Sequence, residues 1–350
     1  MSARQAAAAL AASMGIGRFV YTPILPLMTA QAGLGATGAA SLATANYLGY
    51  FAGALATIVR PPSRTTNRAA LVLLVATLAG MPLTHSFAAW FVLRLLAGIA
   101  SALVFVAAVN AGPGWGLSGV GVGIALSGLI VLAHAEWRFA WWVAAALSAL
   151  LTVTAWSLQP KNPKPQPTAS RRKGFGALFT AYTLEGVGYI IAGTFLVAAI
   201  SGPLGSAAWI LVGVSAALSV TIKARNLLPA VLAVQAVGIA LPALFGSTAA
   251  ALIAVVLFGG TFLTIAAASF KIGADLGFPR AAAVLTTGYS AGQIIGPLIA
   301  TPLLHHGYQH ALLLAAAVVA LAALTALALP SRRRTGTRTP PHRTPAELVE

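Results

Sequence analysis

Charge is scarce in this chain, and negative charge scarcest of all. Only 7% of its 350 residues are charged, and just five of them are acidic. A soluble protein carries charge on about 25–35% of its surface. The two soluble domains that this length would allow are therefore excluded. Cysteine is absent. That rules out disulfides, thiolate catalysis and iron–sulfur or zinc–thiolate sites, and it leaves the compartment unreadable from redox chemistry. The short alternating segments of a β-barrel are missing too. What is present is apolar sequence: 59% of residues are hydrophobic and the mean hydropathy is +0.88. It comes in runs of about 20 residues, long enough to cross a bilayer as helices.

Twelve such runs can be drawn, at 5–28, 40–59, 69–85, 88–110, 116–134, 138–158, 175–200, 206–222, 227–246, 248–270, 281–304 and 309–330. The first run contains Arg18, Pro23 and Pro26, and it reads as an uncleaved membrane helix rather than a signal peptide. With the N-terminus in the cytoplasm, 18 of the 21 basic residues fall on the inner side, Arg138 falls outside, and Arg18 and Arg94 lie within helices. This inside bias supports an even helix count with both termini cytoplasmic. It also accounts for the net charge of +16 without nucleic acid, because the basic residues sit between apolar runs and in the tail. Residues 159–174 (QPKNPKPQPTASRRKG) form the one long linker between runs. The expected organisation is a six-helix bundle at 1–158, a cytoplasmic linker at 159–174, a second bundle at 175–330, and a basic tail at 331–350 whose composition predicts disorder.

The two halves carry matching features. Gly15-Ile16-Gly17 in the first run has a counterpart in Gly186-Val187-Gly188 of the seventh. In the fifth run, Gly119, Gly123 and Ser127 recur every four residues; in the eleventh, Gly288, Gly292 and Gly296 do the same. Residues four apart share a helix face, so each stripe offers a smooth surface for close packing. Matches in corresponding helices predict an all-α integral membrane protein of twelve transmembrane helices in two pseudo-symmetric six-helix bundles. That architecture places a transport site between the halves.

The arrangement resembles the major facilitator superfamily. Arg94, Gly98 and Ala102, spaced four apart, resemble its helix 4 arginine motif. Arg60, Arg64 and Arg68 stand where the superfamily carries Gly-x-x-x-Asp-Arg-x-Gly-Arg-Arg, but the Asp and the spacing are lost, which puts the usual loop 2–3 latch in doubt. A more specific resemblance is to the bacterial YbfB/YjiJ branch. It is carried by GIGRFVYTPILPLM at 15–28, NYLGY at 46–50, LEGVGYII at 184–191, FGGTF at 258–262 and GQIIGP at 292–297. The resemblance implies a secondary transporter in the bacterial inner membrane and names no cargo.

A charge at mid-membrane costs about 2.5–3.5 kcal/mol on insertion scales. Arg18, Arg94 and Glu185 are therefore the first candidates for function. Glu185, the single acidic residue within a run, is the candidate for proton coupling; a structural ion pair is the alternative. In the repeat, Arg18 corresponds to Tyr189, four residues and about 6 Å of helix rise beyond Glu185. Arg18 can then reach Glu185 directly or through water, or bind an anionic substrate through its bidentate fork. Arg94 either snorkels to the outer interface or faces the cavity in proton relay or anion binding. Tyr21, Asn46, Tyr50, Asn110, Tyr182, Tyr189, Gln235, Tyr289 and Gln293 are neutral candidates for lining it, with helix–helix contact as the alternative. Pro23 and Pro26 free backbone carbonyls and kink the first helix. His305, His306 and His310 have no carboxylate nearby, so no metal site is expected, and no cofactor.

The reading is a proton-coupled secondary transporter of a small molecule, embedded in lipid, working by rocking of two halves, with export favoured over uptake. A monomer is compatible with it. Two other classes compete. A membrane enzyme or lipid-handling protein needs an acid/base or metal constellation, and one buried acid does not supply it. A non-transporting receptor or scaffold would have no need of Glu185.

Overall fold

The structure, a computed structural model, describes residues 3–111, 114–133, 135–161, 174–198, 203–222, 225–306 and 308–329. Twelve helical spans account for nearly all of them: α1 (Ala3–Ala32), α2 (Ala36–Val59), α3 (Arg64–Gly80), α4 (Phe87–Ala111), α5 (Ser118–Ala133), α6 (Trp137–Ala155), α7 (Phe175–Ala198), α8 (Pro203–Ser219), α9 (Leu228–Phe245), α10 (Thr248–Asp275), α11 (Ala281–Ala300) and α12 (Tyr308–Ala326). Ten of these spans are long and apolar enough to cross a membrane; α8 is a shorter apolar helix, and α11 carries more polar residues. The linker core and the basic tail lie outside the described residues.

Polarity is inverted relative to a soluble protein. Val59, Val153, Leu298 and Leu218 are two-thirds or more exposed, while Arg18, Arg94, Glu185, Asn46, Gln235 and Gln293 are buried. An apolar exterior around a polar interior is what lipid as solvent demands. The chain is a multi-pass membrane protein.

Packing repeats after six helices. In the first half α1 packs on α5 and α6, α2 on α4, and α3 on α4 and α6; in the second, α7 packs on α11 and α12, α8 on α10, and α9 on α10 and α12. The halves join along two equivalent seams, α5 with α8 and α2 with α11. Glycines permit the closest approaches. A Cβ on Gly119 would stand 2.0 Å from the Ala7 carbonyl of α1, and one on Gly123 2.6 Å from Gly15 Cα. On α11, Cβ atoms at Gly288 and Gly292 would each come within 2.4 Å of Thr183 on α7, and one at Gly296 within 2.4 Å of Ile190. The same α5 helix turns Gly121 toward α8, where Gly213 returns the contact.

Helix boundaries differ from the sequence expectation where capping extends a helix into charged sequence. Ser63 caps α3, accepting from the Thr66 N–H at 3.0 Å, so Arg64 and Arg68 belong to the helix and not to a loop. Asp275 is in the last turn of α10, paired with Lys271 at 3.3 Å, not in the following loop. Glu136 caps α6 by accepting from the Arg138 and Phe139 N–H groups.

The α1 helix is irregular where the sequence places two prolines after Arg18. Residues Ala11–Ile16 form a wide π-helical turn, with Gly17 N–H reaching Ala12 O at 2.8 Å and Phe19 N–H reaching Met14 O at 3.2 Å. Pro23 has no N–H for the Phe19 carbonyl, which instead accepts from Thr22 at 3.2 Å. That shift releases the Arg18 carbonyl from its usual partner. Such π-helical insertions concentrate at functional sites.

Candidate functional site

The freed backbone of α1 is held by α4. Arg94 donates to Gly17 O at 3.3 Å and to Arg18 O at 3.1 Å, and its guanidinium lies 4.9 Å from the Tyr21 ring. Ser101, two turns along the same face of α4, donates to Ser13 O at 2.8 Å. Asn46 of α2 donates to the Arg94 carbonyl at 3.0 Å. Arg94 is thus an internal clamp on the broken helix, and it does not snorkel to an interface.

With its own carbonyl held, Arg18 turns its side chain inward. It is 3% exposed, and its guanidinium lies 4.0 Å from the centre of the Tyr50 ring and 5.5 Å from that of Tyr47. One terminal nitrogen donates to the side-chain oxygen of Gln293 on α11. The other two guanidinium nitrogens, Nε and Nη1, have no hydrogen-bond partner.

Both arginines line a cavity of about 570 Å³ between the halves. Its walls come from α1, α2 and α4 on one side and from α7 and α8 on the other, and include Phe19, Tyr21, Asn46, Tyr47, Tyr189 and Trp209. Trp209 is fixed by a 3.0 Å hydrogen bond to Ser127 across the α5–α8 seam. The cavity lies toward the ends of these helices remote from the N-terminus. No carboxylate is among the residues lining it.

Toward the other end, the halves are sealed by rings. Tyr50 packs on Phe105, Phe105 on Phe270, Phe270 on Tyr182 and Tyr182 on Tyr289, with centroids 4.7–6.3 Å apart. Only about 20 Å³ is left open among them. Further out on that side, Arg280 in the α10–α11 turn donates to the carbonyls of Ile58 and Val59 at the end of α2.

Glu185 lies on α7 one turn below Tyr189, outside the cavity lining. It is buried and accepts one hydrogen bond, from Gln235 of α9 at 3.3 Å; its second oxygen has no hydrogen-bond partner. Tyr289 of α11 turns its hydroxyl toward the same carboxylate. A direct pairing of Glu185 with Arg18, one of the two roles the repeat offered Arg18, is not formed in this conformation: Arg18 instead spans the seam to Gln293, one helix turn from Tyr289.

The structure brings Arg18, Arg94, Tyr21, Asn46 and Tyr189 to the cavity, and sets Tyr50, Tyr182 and Tyr289 in the seal beneath it. Gln235 partners Glu185 and Gln293 partners Arg18, and neither lines the cavity. Asn110 sits near the end of α4, away from this constellation. The side chains of His305 and His306 are outside the described part. Among the described residues no three His, Cys, Asp or Glu side chains converge as a metal site. Sequence reasoning missed Phe19, Tyr47, Trp209, Phe105 and Phe270. Phe19 and Tyr47 had a signal, being inside the GIGRFVYTPILPLM and NYLGY segments; the others are aromatic residues in apolar runs, and nothing local distinguishes them from core.

A family model described as "Uncharacterised MFS-type transporter YbfB" matches residues 10–327. Among solved structures, the human organic anion transporter MFSD10 (TETRAN) is similar in fold, with a TM-score of 0.67 and 14% identity over 93% of this chain and 100% of that one. No curated protein matches the sequence.

Proposed function

Because the chain belongs to the YbfB-type family of major facilitator transporters, we propose that it is a proton-coupled secondary transporter of a small molecule, in which Glu185 carries the proton and the two bundles rock about the cavity. The family and the fold are those of a transporter rather than an enzyme. The observation that carries the proposal is the asymmetry of the interface between halves: a cavity of about 570 Å³ at one end and a ring-packed seal at the other. Two bundles joined along equivalent seams can exchange those roles by a rigid-body rocking motion. Each seam is lined by small residues or short polar bridges that can slide and reform.

The proposed coupling runs through α11. Its Gln293 holds Arg18 of the other bundle, and its Tyr289, one turn away, neighbours Glu185. A proton arriving at or leaving Glu185 changes the charge beside α11, and so biases which arrangement of the seam is preferred. The inside bias of Lys and Arg supports a bacterial inner membrane location with both termini in the cytoplasm. The cavity then opens to the outside in this conformation. The aromatic walls favour export of an amphipathic compound over uptake.

The test uses purified full-length protein in proteoliposomes with an imposed pH gradient, incubated with a cell metabolite extract and read by mass spectrometry. Wild type should accumulate at least one compound only when the gradient is present. Glu185→Gln should lose that accumulation while retaining exchange of the same compound at equilibrium. Accumulation by Glu185→Gln equal to wild type would remove Glu185 from the coupling role.

A further inference from the structure

The cavity holds two positive charges and nothing to balance them. Arg18 and Arg94 both line it, no carboxylate does, and neither guanidinium makes an ion pair with a described residue. Desolvated cations without counter-charge cost several kcal/mol each in real proteins. The two arginines meet that cost differently. Arg94 spends its terminal nitrogens on the Gly17 and Arg18 carbonyls, so it is bound into the backbone of α1. Arg18 has one neutral amide acceptor, the face of the Tyr50 ring at 4.0 Å, and two nitrogens with no hydrogen-bond partner. It is the cation held in reserve.

From this imbalance we infer that the cargo is a small organic monoanion, a carboxylate on an aromatic body, with the carboxylate on Arg18 and the ring between Phe19, Tyr47, Tyr189 and Trp209. The inference rests on the cavity being the transport site. The charge count sets the valence: one guanidinium is available, so one carboxylate is matched, and Arg94 adds field without a free fork. The fork geometry of a guanidinium fits two carboxylate oxygens at once. The walls set the body. Phe19 and Trp209 meet edge to face with centroids 6.3 Å apart, one from each bundle, and Tyr189 stacks on Phe262 at 4.4 Å with its ring held flat against the second bundle. An aryl group entering there touches both halves. The carboxylate would replace Gln293 as the acceptor of Arg18, so that loading the cargo also releases the bridge between α1 and α11.

The experiment is calorimetric titration of the purified full chain with three monosubstituted benzenes of different charge: benzoate, benzamide and benzylammonium. Benzoate should bind with at least about tenfold higher affinity than either of the others. Arg18→Gln should abolish benzoate binding, and Arg18→Lys should weaken it while keeping the preference over benzamide. If Arg18→Gln fails to fold, the three probes on wild type still decide. Equal affinity for benzamide or benzylammonium, no benzoate binding at millimolar concentration, or benzoate binding unchanged in a folded Arg18→Gln overturns the inference. Binding with the stated preference but no transport of benzoate in proteoliposomes upholds the anion class and counts against the transporter reading instead; gradient-driven transport of cations only upholds the transporter reading and defeats the anion class.

Discussion

Arg18 of α1 and Gln293 of α11 are hydrogen-bonded across the seam between the two bundles, and both are buried. The ionised donor makes this a charge-assisted hydrogen bond, but the neutral amide offers one acceptor oxygen and no counter-charge, where a carboxylate offers two oxygens and a negative charge. The contact is therefore strong enough to define one arrangement of the seam and weak enough to be exchanged for a carboxylate. It joins the cavity to the helix that also carries Tyr289, beside Glu185.

Removing the acceptor tests this. Gln293→Leu leaves the Arg18 fork without its one side-chain hydrogen-bond acceptor, at a cost of about 1–3 kcal/mol for an unsatisfied buried group. The melting temperature should fall. Benzoate affinity should rise, since the competing acceptor is gone. A variant with both unchanged would show that the bridge contributes nothing to stability or to binding.

Arg94 should behave differently from Arg18. Arg94→Ala orphans two buried carbonyls, each worth about 1–3 kcal/mol, and should lower thermal stability more than Arg18→Gln does. Arg94→Lys should recover only part, because a single ammonium cannot reach both carbonyls with the geometry of a planar fork. Equal melting temperatures for Arg94→Ala and wild type would refute the clamp.

Much of this was legible in the sequence because lipid is an unforgiving solvent. Apolar runs fixed the number of helices, and the four-residue glycine spacing marked the faces of α5 and α11 that press on α1 and α7. The buried charges announced themselves by being there at all. What could not be read was which polar groups would meet. Helix symmetry set Arg18 opposite α7, but the π-helical turn at Ala11–Ile16 and the shifted bond at Phe19 rotate its side chain toward α11. No local pattern predicts that rotation. The seal was hidden for a related reason: Phe105 and Phe270 lie far apart in the chain and become a pair only when the two bundles meet.

Gly292 offers a test of the packed face. A Cβ there would stand 2.4 Å from the Thr183 carbonyl and 2.9 Å from the Val187 nitrogen, both backbone atoms that cannot step aside. Gly292→Leu should lower expression or melting temperature sharply, or leave a folded protein unable to transport. Normal yield together with normal transport would mean that α7 and α11 separate freely.

Topology has its own check. The proposed topology, read from the distribution of basic residues, has both termini and the segment at 159–174 in the cytoplasm. Alkaline phosphatase fused after Pro165 or Pro330 should be inactive, and a cytoplasm-active reporter at the same points should be bright. The opposite pattern would invert the molecule and turn the cavity toward the cytoplasm.

Arg280 supplies the last prediction. The loop between α2 and α3 lacks the acidic residue of the superfamily signature, which puts the usual latch there in doubt. The structure shows a bridge of opposite sense: a cation from the α10–α11 turn donates to Ile58 and Val59 carbonyls at the end of α2. Those carbonyls are the unsatisfied, negative end of a helix, where a cation is favourable. Arg280 itself holds a left-handed backbone (φ 54°), which an arginine rarely adopts, and it caps the start of α11 in that geometry. The contact is exposed, so it is worth about 0.5–1.5 kcal/mol, or roughly two- to tenfold in the ratio of open to closed forms. Since the chain has no cysteine, Thr286→Cys in the sealed region gives a single reporter thiol. Its alkylation in inside-out vesicles should be slow, and should quicken by that factor when Arg280→Ala is added. Arg280→Lys should restore part of the protection, whereas Arg280→Gly, which relieves the backbone strain but removes the cation, should not. If alkylation proceeds at one rate in all four proteins, the seal is held by the rings alone and Arg280 is a bystander at its rim.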